Sequence, residues 1–214
     1  MALHMKIDPD APGDASLVLA AEVIQAGGII VYPTDTLYGI GANAWNAQAV
    51  ARVQEIKRRQ EAKPILIIVD SIEAARDVTG GISDTARRYM DRFWPGPLTL
   101  VMAAAGRLPQ ELSLGRGTVG VRFPRHATCR RLLALCGCPL TSTSANISGE
   151  QTPATAAAIE KAIGQGIDLY LEAGILPKSP PSTVLDVSGT RPRLLREGAI
   201  TTDQLLSVGI PIDR

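Results

Sequence analysis

From Asp14 onward, apolar residues recur at helical spacing: Leu17, Val18, Ala21 and Ile24. Asp14 or Ser16 precedes them as a capping candidate, and Gly27-Gly28 marks the stop. Gly28 to Tyr32 is an apolar run rich in β-branched residues, which suits a strand buried on both faces. It breaks at Pro33 into a polar loop, Thr34-Asp35-Thr36. Val50, Val53 and Ile56 give one face to a helix from Ala47 to Arg58. Ile65 to Val69 reads as a strand, followed by helices at Ser71 to Val78 and Ser83 to Phe93 and by the stop Trp94-Pro95-Gly96-Pro97. Leu98 to Ala103 and Val119 to Phe123 are two more strands, with a basic-tipped loop, Pro109 to Gly117, between them. Then come a helix at Ala127 to Leu135, a strand at Pro139 to Thr141, a polar loop at Ser142 to Pro153 and a small-residue helix at Thr155 to Ile163. Leu169 to Glu172, Thr183 to Val187 and Arg193 to Arg196 are candidate strands, and Thr201 or Thr202 caps a last helix through Val208. Strands alternate with helices at first and then crowd together. This predicts an α/β fold of α+β-like, mixed character, with one mixed open sheet flanked by helices in a single domain over residues 14–214. Residues 1–13 are expected to be a flexible, loosely attached tail.

Composition narrows the function classes. Apolar residues make up 45% of the 214 positions and aromatics only 4%, so Val, Ile, Leu and Ala must fill the core. A net charge of +1 gives no bulk argument for nucleic acid or a membrane surface. Cys129, Cys136 and Cys138 are odd in number and lack zinc-site spacing, which argues against a disulfide framework and a structural zinc. Buried thiols near a helix end are expected instead. No segment has signal-peptide or membrane-spanning character, so a cytoplasmic protein is expected.

Several familiar devices are missing. There is no Walker A loop. Gly39-Ile40-Gly41-Ala42-Asn43-Ala44 matches the looser dinucleotide pattern, but a polar loop separates it from its strand, which argues against that use. His126 is the one His beyond the tail, which removes most triad and metal-site options. What remains is a set of polar side chains beside strand ends. The Pro33 loop is either a plain turn or a ligand contact. Arg122 shares a strand face with Gly120, opposite Val119 and Val121, and needs an anion or an internal carboxylate. Ser142-Thr143-Ser144-Ala145-Asn146 is either a capping cluster or the lining of a polar site. Lys57, Arg59 and Lys63 either answer a helix dipole or meet phosphates. Ser182 and Arg196 flank further strands. Rich in cations and hydroxyls and short of acid/base groups, such a site works by alignment and charge stabilisation at phosphorus.

In order along the chain, several motifs resemble the YrdC-like family of threonylcarbamoyl-adenylate synthases. They are Pro33-Thr34-Asp35-Thr36-Leu37-Tyr38-Gly39, Lys57-Arg58-Arg59, Trp94-Pro95-Gly96-Pro97-Leu98-Thr99, Val119-Gly120-Val121-Arg122, Ser142 to Gly149 and Pro181-Ser182-Thr183. The resemblance implies a twisted mixed sheet with a concave basic cleft. It also implies an enzyme joining L-threonine, bicarbonate and ATP, with Mg²⁺, into threonylcarbamoyl-AMP and pyrophosphate. That product serves the threonylcarbamoyl modification of adenosine 37 in tRNA, so tRNA or tRNA-modification proteins are the expected downstream partners. By position, the family implies that Thr36, Arg122, Ser142 and Ser182 hold threonine. Arg59, Lys63, Thr118, Ser144, Asn146, Thr152 and Arg196 would contact ATP, with Lys57 and Arg59 catalytic. The sequence has Gln60 where Pro is common in the family, and Lys63 and Ile68 where some relatives carry Asn and His, although shorter members also lack that His. It ends at Arg214, so the extra carboxyl-terminal domain of longer relatives is not expected. Two other readings stand beside this one. One is a non-catalytic RNA- or tRNA-binding module using Arg52, Arg58, Arg87, Arg88 and Arg92; the other is a paralogous carbamoyl or adenylate enzyme of the same fold.

Overall fold

The computed structural model describes residues 2–8, 11–57, 64–177 and 179–213. Its elements in order are β1 (Leu3–Lys6), α1 (Asp14–Gln25), β2 (Ile30–Pro33), β3 (Tyr38–Gly41), α2 (Ala47–Ile56), β4 (Ile67–Ile68), α3 (Ile72–Val78) and α4 (Asp84–Phe93). They continue as β5 (Leu98–Ala103), α5 (Gln110–Ser113), β6 (Thr118–Arg122), α6 (Ala127–Cys136), β7 (Leu140–Thr141), β8 (Thr143–Ser144), α7 (Ala156–Ile163), β9 (Leu169–Glu172), β10 (Thr183–Asp186), β11 (Arg193–Arg196) and α8 (Thr202–Leu206).

The strands form two mixed sheets, not the single sheet expected from the sequence. One has five strands in the order β1-β9-β2-β3-β8, and the other has six in the order β11-β10-β5-β6-β4-β7. The chain passes between them after β3, β7 and β9, and the second passage takes a single residue: β7 ends at Thr141 in the second sheet and β8 begins at Thr143 in the first. Ser142 is the hinge, its N–H donating to the Leu66 carbonyl at 2.8 Å. The Pro33 loop joins two strands. It is the tip of an antiparallel β2–β3 hairpin, with Tyr32 opposite Gly39. Gly41 lacks a side chain because a Cβ there would lie 2.6 Å from the Tyr32 ring.

Local chemistry explains most boundaries. Asn46, Ser71, Ser83, Thr155 and Thr201 cap α2, α3, α4, α7 and α8 by accepting from a backbone N–H three residues on. Neither Asp14 nor Ser16 caps α1, whose N-cap is Gly13 without a side-chain bond. Ile65 to Val69 yields only the two-residue β4, because the Ile65 N–H is drawn to Leu112 O and the Leu66 carbonyl to Ser142. The loop at Pro109 to Gly117 contains the short α5. Ile29, Val31, Ile67, Val69, Leu98, Leu100, Val119 and Val121 centre the main core, and α1 packs on α6 around a second one with Leu17, Ile24, Leu132 and Leu133. Among the described residues no helix is long and apolar enough to cross a membrane.

The amino-terminal segment is not a loose tail over its whole length. β1 runs parallel to β9 as an edge strand, and His4 fastens it. His4 Nδ1 lies 2.7 Å from Glu172 and Nε2 lies 3.2 Å from Glu160, while the ring stacks on Tyr170. An imidazole facing a carboxylate from each nitrogen donates to both only when protonated. The hydrogen bond to Glu172, against the opposing effect of burial, raises the His4 pKa above its ordinary value. The folded state therefore gains stability below about pH 6.5, the unfolded value, and loses it as pH rises through the folded one. His4→Ala is expected to lower Tm more at pH 5.5 than at pH 8.5 in thermal melts. An equal drop at both pH values would reduce His4 to its stacking contact.

Candidate active site

A cavity of about 640 Å³ opens between the two sheets. Its floor is one face of the six-stranded sheet: Thr99 and Val101 of β5, Thr118, Gly120 and Arg122 of β6, and Val184 and Asp186 of β10. Period-two alternation sends Val119 and Val121 into the core, as expected from the sequence. The opposite wall is the β2–β3 hairpin with Thr34, Thr36 and Leu37, and the Ser142-Thr143-Ser144 crossing. β11 closes one end with Arg193 and Arg196.

These cations face the same space because of a bulge. Val184 pairs with Arg196 and Asp186 with Arg193, while the register slips by one between Val184 and Leu185. The extra residue resets the alternation, so two arginines three positions apart share a face.

Several polar side chains on the wall are held from behind. Thr34 Oγ1 accepts from the N–H groups of Thr36 and Leu37 at 3.2 Å and donates to Leu37 O at 2.6 Å, which fixes the hairpin tip. Arg122 is 6% exposed. Its Nε donates to Gly96 O at 3.0 Å, and Nη2 makes an ion pair with Asp35. Asp35 Oδ1 is buried with no partner among the described residues. Arg196 donates through Nε and Nη2 to the Ser182 carbonyl, at 3.1 and 2.8 Å. Burial, and then the nearby Arg122 charge, lower the Arg196 pKa. Behind the hairpin, burial pushes the Tyr32 hydroxyl and the Cys129 thiol far up, so both stay neutral. Cys136 is also buried and Cys138 is half-buried.

Of the residues named from sequence, Thr36, Thr118, Arg122, Ser142, Ser144, Ser182 and Arg196 line this cavity. Lys57, Asn146 and Thr152 do not. Lys57 is 2% exposed and lies beneath the crossing, where Nζ donates to Ser144 O at 2.5 Å and to Asn146 Oδ1 at 3.1 Å. Thr152 Oγ1 adds a bond to Asn146 Oδ1 at 3.3 Å. The three form a brace under Ser144. Arg59 and Lys63 lie outside the described residues, as does Arg58. Sequence reasoning missed Thr34, Thr99, Arg116, Asp186 and Arg193 as wall residues. Thr34 and Thr99 sat inside motifs already singled out, whereas nothing in the sequence announces the bulge that turns Arg193 inward. The arginines of an RNA-binding reading are engaged elsewhere: Arg52 pairs with Asp168, Arg87 with Asp91, Arg88 donates to Val208 O, and Arg92 lies over the Phe93 ring.

A family model for Sua5, YciO and YrdC, described as telomere recombination, matches residues 22–198. The chain belongs to the Sua5/YciO/YrdC family. A relative from Thiobacillus denitrificans, named threonylcarbamoyl-AMP synthase, is 38% identical over 165 residues, covering 77% of this chain and 87% of the relative. The crystal structure of P. abyssi Sua5 complexed with L-threonine superposes with a TM-score of 0.89 at 32% identity, covering 99% of this chain. The present chain spans 62% of the length of that Sua5 chain. E. coli YciO superposes with a TM-score of 0.87 at 27% identity, covering 96% of this chain and all of the other.

Proposed function

We propose that this family member is a threonylcarbamoyl-AMP synthase, joining L-threonine, bicarbonate and ATP into threonylcarbamoyl-AMP and pyrophosphate. The observation that carries the reading is convergence. Seven side chains from distant parts of the chain, Thr36 through Arg196, line one cavity. The P. abyssi relative, complexed with L-threonine, supports the amino acid as substrate.

In this reading the threonine amine adds to bicarbonate with loss of water and gives a carbamate. A carbamate oxygen then attacks the α-phosphorus of ATP, and the bond to the β,γ-phosphates breaks as pyrophosphate leaves. Arg122 pairs with the threonine carboxylate, and Thr36, Ser142 and Ser182 complete that end. Arg196, Thr118 and Ser144 face the nucleotide, and the family resemblance assigns Arg59 and Lys63 to the same role. The cations offset charge gathering on the phosphates, where a low-dielectric wall makes each contact stronger. Arg116 and Arg193 extend the same field.

Mg²⁺ enters as part of the nucleotide substrate. Among the described residues no cluster of three His, Cys, Asp or Glu side chains is placed to hold a metal, and Asp186, the carboxylate on the wall, lies 3.8 Å from Arg193. The donor set does not fit a resident ion, while phosphates and water are the usual ligands of this one. The product is proposed to serve the modification of adenosine 37 in tRNA, through proteins or tRNA that receive it. Buried Ile68, where some relatives of the family carry His, favours, as a second reading, a paralogous enzyme using another carbamoyl or adenylate substrate.

Pyrophosphate release from ATP is expected to require both L-threonine and bicarbonate. Arg196→Ala should lower kcat/KM for ATP by roughly a hundredfold, or about 2.7 kcal/mol. Release at the same rate with serine, or with no amino acid, would transfer the case to the second reading.

A further inference from the structure

The segment Trp94-Pro95-Gly96-Pro97-Leu98-Thr99 has no place in the chemistry described so far, yet it touches the amino-acid end of the cavity at three points. Gly96 O receives Arg122 Nε at 3.0 Å, Pro97 O receives the Thr183 N–H at 3.0 Å, and Thr99 Oγ1 donates to Ser182 Oγ at 3.1 Å. The last contact decides what Ser182 can do. A serine hydroxyl has two lone pairs and one hydrogen. Ser182 Oγ already accepts from Thr99 and from Arg196 Nη2, the latter also at 3.1 Å. Both acceptor positions are filled, and among the described residues the hydrogen has no acceptor. Ser182 is 4% exposed, and it lines the cavity.

The backbone on either side of Ser182 is pinned. Thr183 Oγ1 donates to Ile200 O at 2.6 Å and accepts from the N–H groups of Gly198 and Ile200. Gly198 passes so close that a Cβ there would lie 2.1 Å from Pro181 O. Arg122 and Arg196 stand near enough for their charges to oppose each other, so an anion beside Ser182 relieves a repulsion already present.

We infer that Thr99 is a positioning residue that fixes Ser182 as a hydrogen-bond donor to the carboxylate of the amino-acid substrate. Thr99 occupies an acceptor position that would otherwise let Ser182 bind an ammonium or hydroxyl donor, and so it sets which end of the amino acid enters here. The inference rests on the proposed threonine reading and deepens it.

Calorimetric titration of the full chain tests it, with L-threonine, L-threoninol (which lacks the carboxylate) and ATP as separate probes. Thr99→Val is isosteric and is expected to weaken L-threonine binding five- to tenfold, in line with one buried hydrogen bond. It should leave ATP binding within twofold. Thr99→Ser should restore wild-type affinity. Ser182→Ala and the Thr99→Val/Ser182→Ala double variant should bind L-threonine equally, because Thr99 acts only through Ser182. L-threoninol should bind weakly and identically to wild type and Thr99→Val. Wild-type affinity in Thr99→Val overturns the inference, as do additive losses in the double variant or a parallel loss of ATP binding. No threonine binding by the wild type overturns the functional reading itself, and the inference with it.

Discussion

Arg122→Met is expected to abolish threonine binding and to lower folding stability by about 3 kcal/mol. The two losses have different origins. Arg122 is buried at 6% exposure and divides its donors between Gly96 O and Asp35. Its removal strands a carboxylate whose other oxygen, Oδ1, already has no partner among the described residues. Breaking one half of a buried pair costs more than the pair contributes, because the remaining charge stays desolvated. Arg122→Met/Asp35→Asn should therefore recover most of the stability and none of the threonine affinity. Arg122→Lys should rescue neither fully, since a point ammonium cannot reach both acceptors with the geometry of a fork. Urea unfolding and threonine titration of the set give the answer. An unchanged urea midpoint in Arg122→Met would mean that Asp35 is well solvated and the ion pair incidental.

How much of this was legible in the sequence depends on the range of the physics involved. Local rules placed most helices, since Ser71, Ser83, Thr155 and Thr201 each cap where a hydroxyl precedes an apolar period. They also placed β5, β9 and β11, and the alternation that sends Val121 inward and Arg122 to the cavity. They could not divide the strands between two sheets. That division turns on β7 and β8, two-residue pieces either side of Ser142, too short to carry a period. The same limit hid Arg193, because strict alternation puts residues three apart on opposite faces and only the β10–β11 register shows otherwise. β1 was missed for a related reason. Four residues of mixed polarity become a strand because β9 offers an open edge and His4 finds two glutamates far along the chain. The wall itself was largely legible, through hydroxyls and arginines beside strand ends. Which cations touch the cavity and which support it was not.

Lys57 is the case where that distinction has the largest consequence. The family resemblance implies a catalytic cation, yet its ammonium lies under the crossing, bonded to Ser144 O at 2.5 Å and Asn146 Oδ1 at 3.1 Å. Its own carbonyl accepts from the Ser148 N–H at 3.1 Å, so the residue grips the loop from both ends. Asn146 spreads the grip, donating to Ile147 O and Glu150 O at 2.7 Å. Lys57→Met keeps most of the apolar stem but deletes the donors. It is expected to cost about 2 kcal/mol of stability, because two buried acceptors lose a charged partner. Loosening Ser144 should then raise KM for ATP about tenfold or more, with a smaller fall in kcat. Thr152→Val removes only the outermost bond of the brace and should change stability by less than about 1 kcal/mol. Steady-state kinetics separate a brace from a catalytic group. If Lys57→Met left ATP affinity intact and cut kcat a thousandfold, the ammonium would have to meet the phosphates during turnover, and the loop would have to open to let it through.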